Sequence, residues 1–200
     1  MNQMDEGGFR RAVSKKMERD GISFVLAVYR TLDEFLEQEI RNSGISLACK
    51  RGCSLCCFQL VTCTEIEMNE IVSFVKNMTR KNRRQLEKRL KKFGQKWAEY
   101  YRAKKIILEI NPFQIYDDYW GKPCPFLNPT SGICDIYPVR IIDCRTFSSL
   151  TQCTEDLKEA QRFRFPPEKW ANNMIMEEQE RKNGMLATVP VHNWLYGWLC

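Results

Sequence analysis

Residues 49–57 read CKRGCSLCC and place four of the chain's ten cysteines within nine positions, at Cys49, Cys53, Cys56 and Cys57. Three more cysteines follow at steps of ten residues, at Cys124, Cys134 and Cys144. The packing of single cysteines in a core does not explain why seven of them fall into two compact groups. Thiolate ligands at short spacings, closed by a distant set, are typical of zinc and iron–sulfur sites. The pattern therefore predicts a soft metal centre with these seven cysteines as its candidate ligands.

The first residues of the chain are polar, and the longest apolar runs, such as residues 24–29, span only a few positions. We therefore expect no signal peptide, no membrane span and a cytoplasmic location. Thiols stay reduced in the cytosol, where clustered cysteines bind metal or do chemistry more often than they form bridges. A disulfide framework in a chain exported by another route is the less favoured alternative.

The chain has a single histidine, His192. This count excludes catalytic zinc sites built on two or three histidines, as well as iron sites of the two-histidine, one-carboxylate type. His192 lies in the apolar stretch VPVHNWLYGWLC, which favours a satisfied, partly buried side chain over a catalytic base. Any metal site is therefore expected to be almost purely thiolate.

Apolar periodicity predicts a mainly α fold, in which helices frame an irregular, cysteine-rich metal-binding loop region. We expect helices over residues 9–42, from Thr64 onward, and over 79–105, 154–162 and 167–183. Thr64 and Glu67 have capping-box spacing, and Gly184 is a helix stop. The proline- and glycine-rich stretch 111–150 predicts loops with short strands or single helical turns. We expect one domain, 1–200, with its metal-binding core at 49–147, and an apolar tail that packs back on it.

The seven thiols exceed the four that one tetrahedral ion needs. One [4Fe–4S] cluster with three spare thiols, two metal centres, or one zinc ion with inert extra cysteines would each account for them. Cys57 adjoins Cys56, and we expect the two side chains to point apart. Cys57 would then face a second metal, stay a free thiol or pack in the core. The remaining cysteines are expected to be single buried thiols: Cys63, Cys153 and Cys200.

Four basic residues stand close in sequence to the cysteines: Lys50, Arg51, Arg140 and Arg145. A tetrathiolate zinc or [4Fe–4S] centre carries net negative charge. Guanidinium groups beside it would offset that charge and tune the site. The alternative is that these residues are ordinary surface cations.

The run CKRGCSLCC, followed by CPFLNPTSGICDIYPVRIIDCRTF, resembles the zinc- or iron-chelating cysteine-cluster family (YkgJ-like, CxxCxxCC). The resemblance covers about residues 49–147. In the second block it rests on Cys124, Pro125, Phe126, Leu127, Gly132, Cys134, Ile136, Tyr137, Arg140, Cys144 and Arg145. Cys49 and Cys53 are separated by three residues rather than two, and Ile141 stands where the family has proline. The resemblance implies metal binding, by zinc or iron. From the seven-thiol pattern we expect a protein that holds zinc or an iron–sulfur cluster, for example [4Fe–4S], and has a redox or metal-handling role.

Flagellin lysine-N-methylases, which are much longer chains, carry a similar cysteine cluster. An alternative function is thus an enzyme that uses the cluster for protein methylation or reduction. The chain has no glycine-rich nucleotide loop after a strand. Cys49, Cys53 and Cys56 fit the C-x3-C-x2-C spacing of radical enzymes, but the adjoining Cys57 and the lack of a βα repeat disfavour radical chemistry. Whether the chain is an enzyme stays open.

Residues 80–105 carry twelve Lys and Arg against two Glu, a net charge of +10 compared with +6 for the whole chain. A helix this basic could bind nucleic acid or an acidic protein. A structural zinc module that presents this helix to nucleic acid is therefore a third functional hypothesis. A solvated face of an amphipathic helix also explains the charge, without any ligand.

Overall fold

The structure is a computed structural model, and it describes residues 5–50, 52–153, 161–184 and 188–193. It confirms a mainly α fold. The α-helices are α1 (Glu6–Asp20), α2 (Phe24–Ser43), α3 (Glu65–Lys76), α4 (Arg80–Ile110), α5 (Gln114–Tyr119), α6 (Ile142–Thr146) and α7 (Pro166–Asn183). Short 3₁₀ turns span Leu55–Phe58 and Tyr137–Val139. Within the described ranges no helix is long and apolar enough to cross a membrane.

The single helix expected over residues 9–42 is wrong, because the chain forms two helices there. Gly21 adopts a left-handed φ of 60° and ends α1. Ser23 then begins α2, and its hydroxyl accepts a hydrogen bond from the Leu26 amide at 3.2 Å. Glycine enters the left-handed region at little steric cost, and serine is a preferred N-cap. These two residues therefore determine locally where α1 ends and α2 begins.

The capping box of α3 is confirmed. The Thr64 hydroxyl accepts from the Glu67 amide at 3.4 Å, and the Glu67 carboxylate accepts from the Thr64 amide at 3.0 Å. Helix α4 begins at Arg80, close to the expected start, and continues to Ile110 beyond the expected end. Gly184, with φ 64°, ends α7 as expected.

Residues 111–150 form loops and short elements, as the proline content predicted. Two short antiparallel pairs complete the described structure. Strand β1 (Thr62–Cys63) pairs with β4 (Val189–Pro190), and β2 (Ser148–Ser149) pairs with β3 (Arg162–Phe163). The helix expected over 154–162 is wrong at Arg162, which lies in β3. Residues 154–160 lie outside the described part, as do residues 194–200 of the tail.

Apolar side chains pack in three clusters. Helices α1, α2 and α7 enclose the first, around Phe9, Val28 and Leu32. The second joins α3 and the start of α4 to the cysteine loops, and Cys124, Cys134 and Cys144 pack against it. The third lies between α4 and α5. The second cluster therefore places an apolar wall directly behind three candidate ligands.

His192 is buried, with 3 % of its surface exposed, so it has no access to solvent as a base. Its ring stacks on Trp97, with centroids 4.6 Å apart. The expected burial is confirmed, but within the described residues neither ring nitrogen has the hydrogen-bond partner that a satisfied histidine would have. Burial lowers the pKa of His192 to about 3, which keeps the imidazole neutral.

Candidate metal centre

One cavity of about 320 Å³ lies between the 3₁₀ turn Leu55–Phe58, the loop 124–140 and helix α6. Six of the seven predicted ligands line it: Cys53, Cys56, Cys57, Cys124, Cys134 and Cys144. None of the nine described cysteines is disulfide-bonded. The fold thus brings cysteines from two distant sequence blocks to one place, with reduced sulfur atoms available for a ligand.

The first block enters the cavity through a tight turn. Gly52 adopts φ 90°, a left-handed conformation that glycine permits, and the chain then coils into the 3₁₀ turn. The Cys57 amide donates to the Ser54 carbonyl at 2.9 Å. Cys56 and Cys57 both line the cavity, and their thiols share a hydrogen bond. The expectation that they point apart is therefore wrong. Side chains of neighbouring residues alternate in an extended chain, but the chain coils as a 3₁₀ turn here.

The second block is tied to the first by its backbone. The Cys124 amide donates to the Cys57 carbonyl at 2.6 Å, which places Cys124 beside the 3₁₀ turn. The loop then reverses at Gly132, whose φ is 67°, and Leu127 forms an isolated antiparallel bridge with Cys134. This bridge returns Cys134 to the same cavity as Cys124.

Cys144 lies on the short helix α6, and two buried charged residues hold that helix in place. The Glu67 carboxylate accepts a hydrogen bond from the Ile142 amide at 3.1 Å, at the start of α6. Arg145 donates to the Arg140 carbonyl at 2.7 Å and to the Pro138 carbonyl at 2.5 Å. The same guanidinium contacts Asp33 of α2 at 2.5 Å. Arg145 is thus a clamp for the loop that precedes Cys144, and not a surface cation.

Arg140 is the basic residue that lines the main cavity itself. Its guanidinium stacks on Tyr137, with Cζ 4.3 Å from the ring centroid. Its buried Nε has no hydrogen-bond partner in the described structure. Lys50 lines a second, smaller cavity instead, and Arg51 lies outside the described residues. Of the three predicted cations that the structure describes, Arg140 is therefore the one placed to offset negative charge in the main cavity.

Burial favours the protonated thiol at Cys124, Cys134 and Cys144 when no cation is near. Desolvation raises the pKa of Cys124 to about 12 and raises the pKa of Cys134 and Cys144 as well. The hydrogen bond with Cys57, followed by burial, raises the pKa of Cys56. Asp143, which the sequence reasoning missed, also lines the cavity, and burial raises the pKa of its carboxyl. Deprotonating several of these groups requires a metal cation among them.

Cys49 is the one predicted ligand that the main cavity does not include. It lines a separate cavity of about 260 Å³ together with Cys153, and Cys53 lies at the boundary of both cavities. The Cys49 sulfur accepts from the Ser149 amide at 3.3 Å. Cys153 was expected to be an isolated buried thiol but stands beside Cys49. Cys63 is buried as expected, with 1 % exposed, and Cys200 lies outside the described residues.

The donor set fits a soft metal or cluster. Six thiols stand in an otherwise largely apolar cavity wall, and the Arg140 Nε, which has no partner among the described residues, offers a buried donor for a thiolate or sulfide acceptor. Within the described ranges, no three cysteine, histidine or acidic side chains already stand in a metal-coordination arrangement. The thiols therefore share a cavity without forming a closed shell.

Comparison with known proteins agrees with this geometry. A protein-family profile described as "CxxCxxCC: Putative zinc- or iron-chelating domain" matches residues 48–177. The chain belongs to the CxxCxxCC family. The match confirms the resemblance drawn from the two cysteine blocks and extends it through most of α7. No curated protein and no solved structure shows a significant match.

Proposed function

We propose that this CxxCxxCC chain holds an iron–sulfur cluster, or zinc in the alternative, and serves in electron transfer or metal handling. The observation that supports this is the gathering of six thiols in one cavity of about 320 Å³. The ligands are drawn from Cys53, Cys56, Cys57, Cys124, Cys134 and Cys144. Cys49 lies in the neighbouring cavity and is not a ligand of the same centre in this proposal.

The size and composition of the cavity favour a cluster over a single structural zinc ion. A structural zinc site is closed by four ligands in direct contact with the ion, which leaves no open volume. This cavity has two thiols more than that shell and a volume within the range of small-molecule pockets. An iron–sulfur cluster bound by four of the thiolates would supply one-electron transfer.

The chain's own residues have separate tasks in this proposal. Arg140 offsets the charge of bound thiolates from within the cavity, while the apolar side chains of Phe126, Ile136 and Ile141 keep water away. Burial and hydrogen bonding around a cluster set its reduction potential. Glu67 and Arg145 do not line the cavity, and their task is to hold the backbone of the segment before Cys144 in place.

Metal analysis of anaerobically purified protein tests the proposal. Iron and acid-labile sulfide in stoichiometric amounts, with visible absorption that bleaches on reduction, would support a cluster. Colourless protein with one zinc would support the alternative, and protein with neither metal would refute both. Cys134→Ser should lower the metal content, while Cys63→Ala should keep it, because Cys63 lies in the apolar core and lines neither cavity.

The two other functional hypotheses stay predictions. Protein methylation or reduction requires binding of S-adenosylmethionine or redox activity of the bound metal, and calorimetric titration and voltammetry test these. Nucleic-acid binding by residues 80–105 requires an affinity that falls steeply with salt.

A further inference from the structure

The C-terminal end of α4 carries large apolar side chains that face solvent. Ile106 is 73 % exposed, Ile110 is 82 % exposed and Phe113, just beyond the helix, is 74 % exposed. None of the three lines either of the two cavities described above. Single exposed apolar residues are common on protein surfaces, but a contiguous group marks an interaction site.

The same face of α4 becomes strongly basic toward the N-terminus of the helix. Lys88, Lys92 and Lys96 recur every four residues, and the 3.6-residue period puts them on one face with Ile106 and Ile110. Lys81 extends this row, and Glu99 interrupts it. We call this row of four lysines and the three apolar residues at its end the lysine–isoleucine face.

The lysine–isoleucine face is turned away from the core, and its four lysines have no ion-pair partner among the described residues. The buried residues of α4, such as Leu86, Leu90 and Trp97, lie on the opposite side of the helix. The four lysines are exposed. No acidic group lies within 4.0 Å of any of them in the described ranges, whereas Lys104 and Lys105 at the flank do have such partners.

We propose that the lysine–isoleucine face docks the protein on an anionic lipid membrane surface. Lysines near such a surface each favour binding through the negative potential of its headgroups, and the effect adds along the row. Protruding isoleucine and phenylalanine side chains would enter the boundary between headgroups and acyl chains, as they do in interfacial amphipathic helices. Helix α4 then lies along the membrane, with the metal cavity on the body of the protein.

Other partners fit this face less well. A second copy of the chain would bring two rows of lysines together and repel. Protein interfaces are depleted in lysine and receive apolar anchors in pockets, whereas this face is rich in lysine and its apolar residues protrude. Nucleic acid would use the lysines but would leave Ile106 and Ile110 without a partner.

Co-sedimentation of the metal-loaded protein with vesicles tests the proposal. We expect binding to vesicles of phosphatidylcholine and phosphatidylglycerol in equal parts, little binding to pure phosphatidylcholine, and release by salt. Lys88→Glu with Lys92→Glu should weaken binding by more than about 25-fold, since each neutralised lysine accounts for about fivefold. Ile106→Gln with Ile110→Gln should weaken it by about tenfold or more, and Ile110→Leu should retain it.

Matched charge reversals at Lys15 and Lys169, which are exposed on α1 and α7, should weaken binding much less. Three outcomes would overturn the proposal. One is no binding to the anionic vesicles. Another is vesicle binding that Ile106→Gln with Ile110→Gln leaves unchanged. The last is self-association or DNA binding that the lysine–isoleucine variants abolish in the absence of vesicle binding.

Discussion

Replacing Glu67 with alanine should strongly lower the free energy of unfolding, because this buried carboxylate accepts hydrogen bonds from three separate elements. Its Oε1 accepts from the Tyr29 hydroxyl at 3.0 Å and from the Ile142 amide at 3.1 Å. Its Oε2 accepts from the Thr64 amide at 3.0 Å and from the Thr64 hydroxyl at 3.1 Å. Alanine would leave two backbone amides and a phenol buried without acceptors, at about 1–3 kcal/mol each.

The carboxylate is itself costly to bury, and burial raises its pKa. Removing it returns part of that cost, so we expect Glu67→Ala to lower the free energy of unfolding by about 4 kcal/mol. Glutamine keeps one oxygen for Tyr29 and Ile142 but presents an amide to Thr64. Glu67→Gln should therefore cost only about 1–2 kcal/mol.

Urea unfolding followed by circular dichroism at neutral pH measures both values, with and without bound metal. Glu70 lies one turn along the same helix, is only partly buried, and bonds only the Ser23 hydroxyl in the described structure. Glu70→Ala is therefore a matched control that should cost less than about 1 kcal/mol. The reasoning fails if Glu67→Ala costs no more than this control, or if the glutamine and alanine variants are equally destabilised.

Four further predictions concern the site and its frame. Cys49→Ser should leave the visible spectrum of the metal-loaded protein intact, whereas Cys144→Ser should abolish or shift it, and equal effects would contradict the two-cavity geometry. Arg145→Met should lower stability by about 3–5 kcal/mol in thermal or urea unfolding, because it leaves two carbonyls and Asp33 without their guanidinium. The folded pKa of His192, about 3, lies below its ordinary 6.5, so stability should fall as the pH drops through this window; His192→Phe should flatten that fall in unfolding series. Stripping the metal with a chelator should leave the far-ultraviolet circular dichroism nearly unchanged, and a collapse to coil would contradict a core that forms without metal.

Local signals were readable from the sequence where one or two residues decide the structure. Thr64 with Glu67 predicted the start of α3, and Gly184 predicted the end of α7, because helix caps depend on neighbouring backbone groups. The break between α1 and α2 obeys the same chemistry, through Gly21 and Ser23. We missed this break because the apolar stripe over residues 9–42 shows only which side of a helix is buried. Such periodicity does not show whether the helix is continuous.

Tertiary placement of the cysteines could not be read in the same way. Cys153 reaches Cys49 because the Ala48 amide donates to the Ser149 carbonyl at 2.9 Å, beside the strand pair β2–β3. No spacing rule links positions about a hundred residues apart. Cys56 and Cys57 face one cavity because the chain coils as a 3₁₀ turn there, whereas neighbouring residues of an extended chain would diverge. Spacing thus identified the thiols, and long-range pairing decided which of them meet.

Glu67 and Arg145 indicate how the cavity can exist before any metal enters it. Both are buried and both bond backbone groups of the segment 138–142, so the loop before Cys144 is fixed by protein contacts alone. Cys124, Cys134 and Cys144 also pack against an apolar cluster that includes Ile71 and Leu90. Small zinc modules differ, since metal binding supplies their folding energy. A frame of this kind would let a centre be inserted, exchanged or reduced while the surrounding helices keep their places, as the redox or metal-handling role that we propose requires.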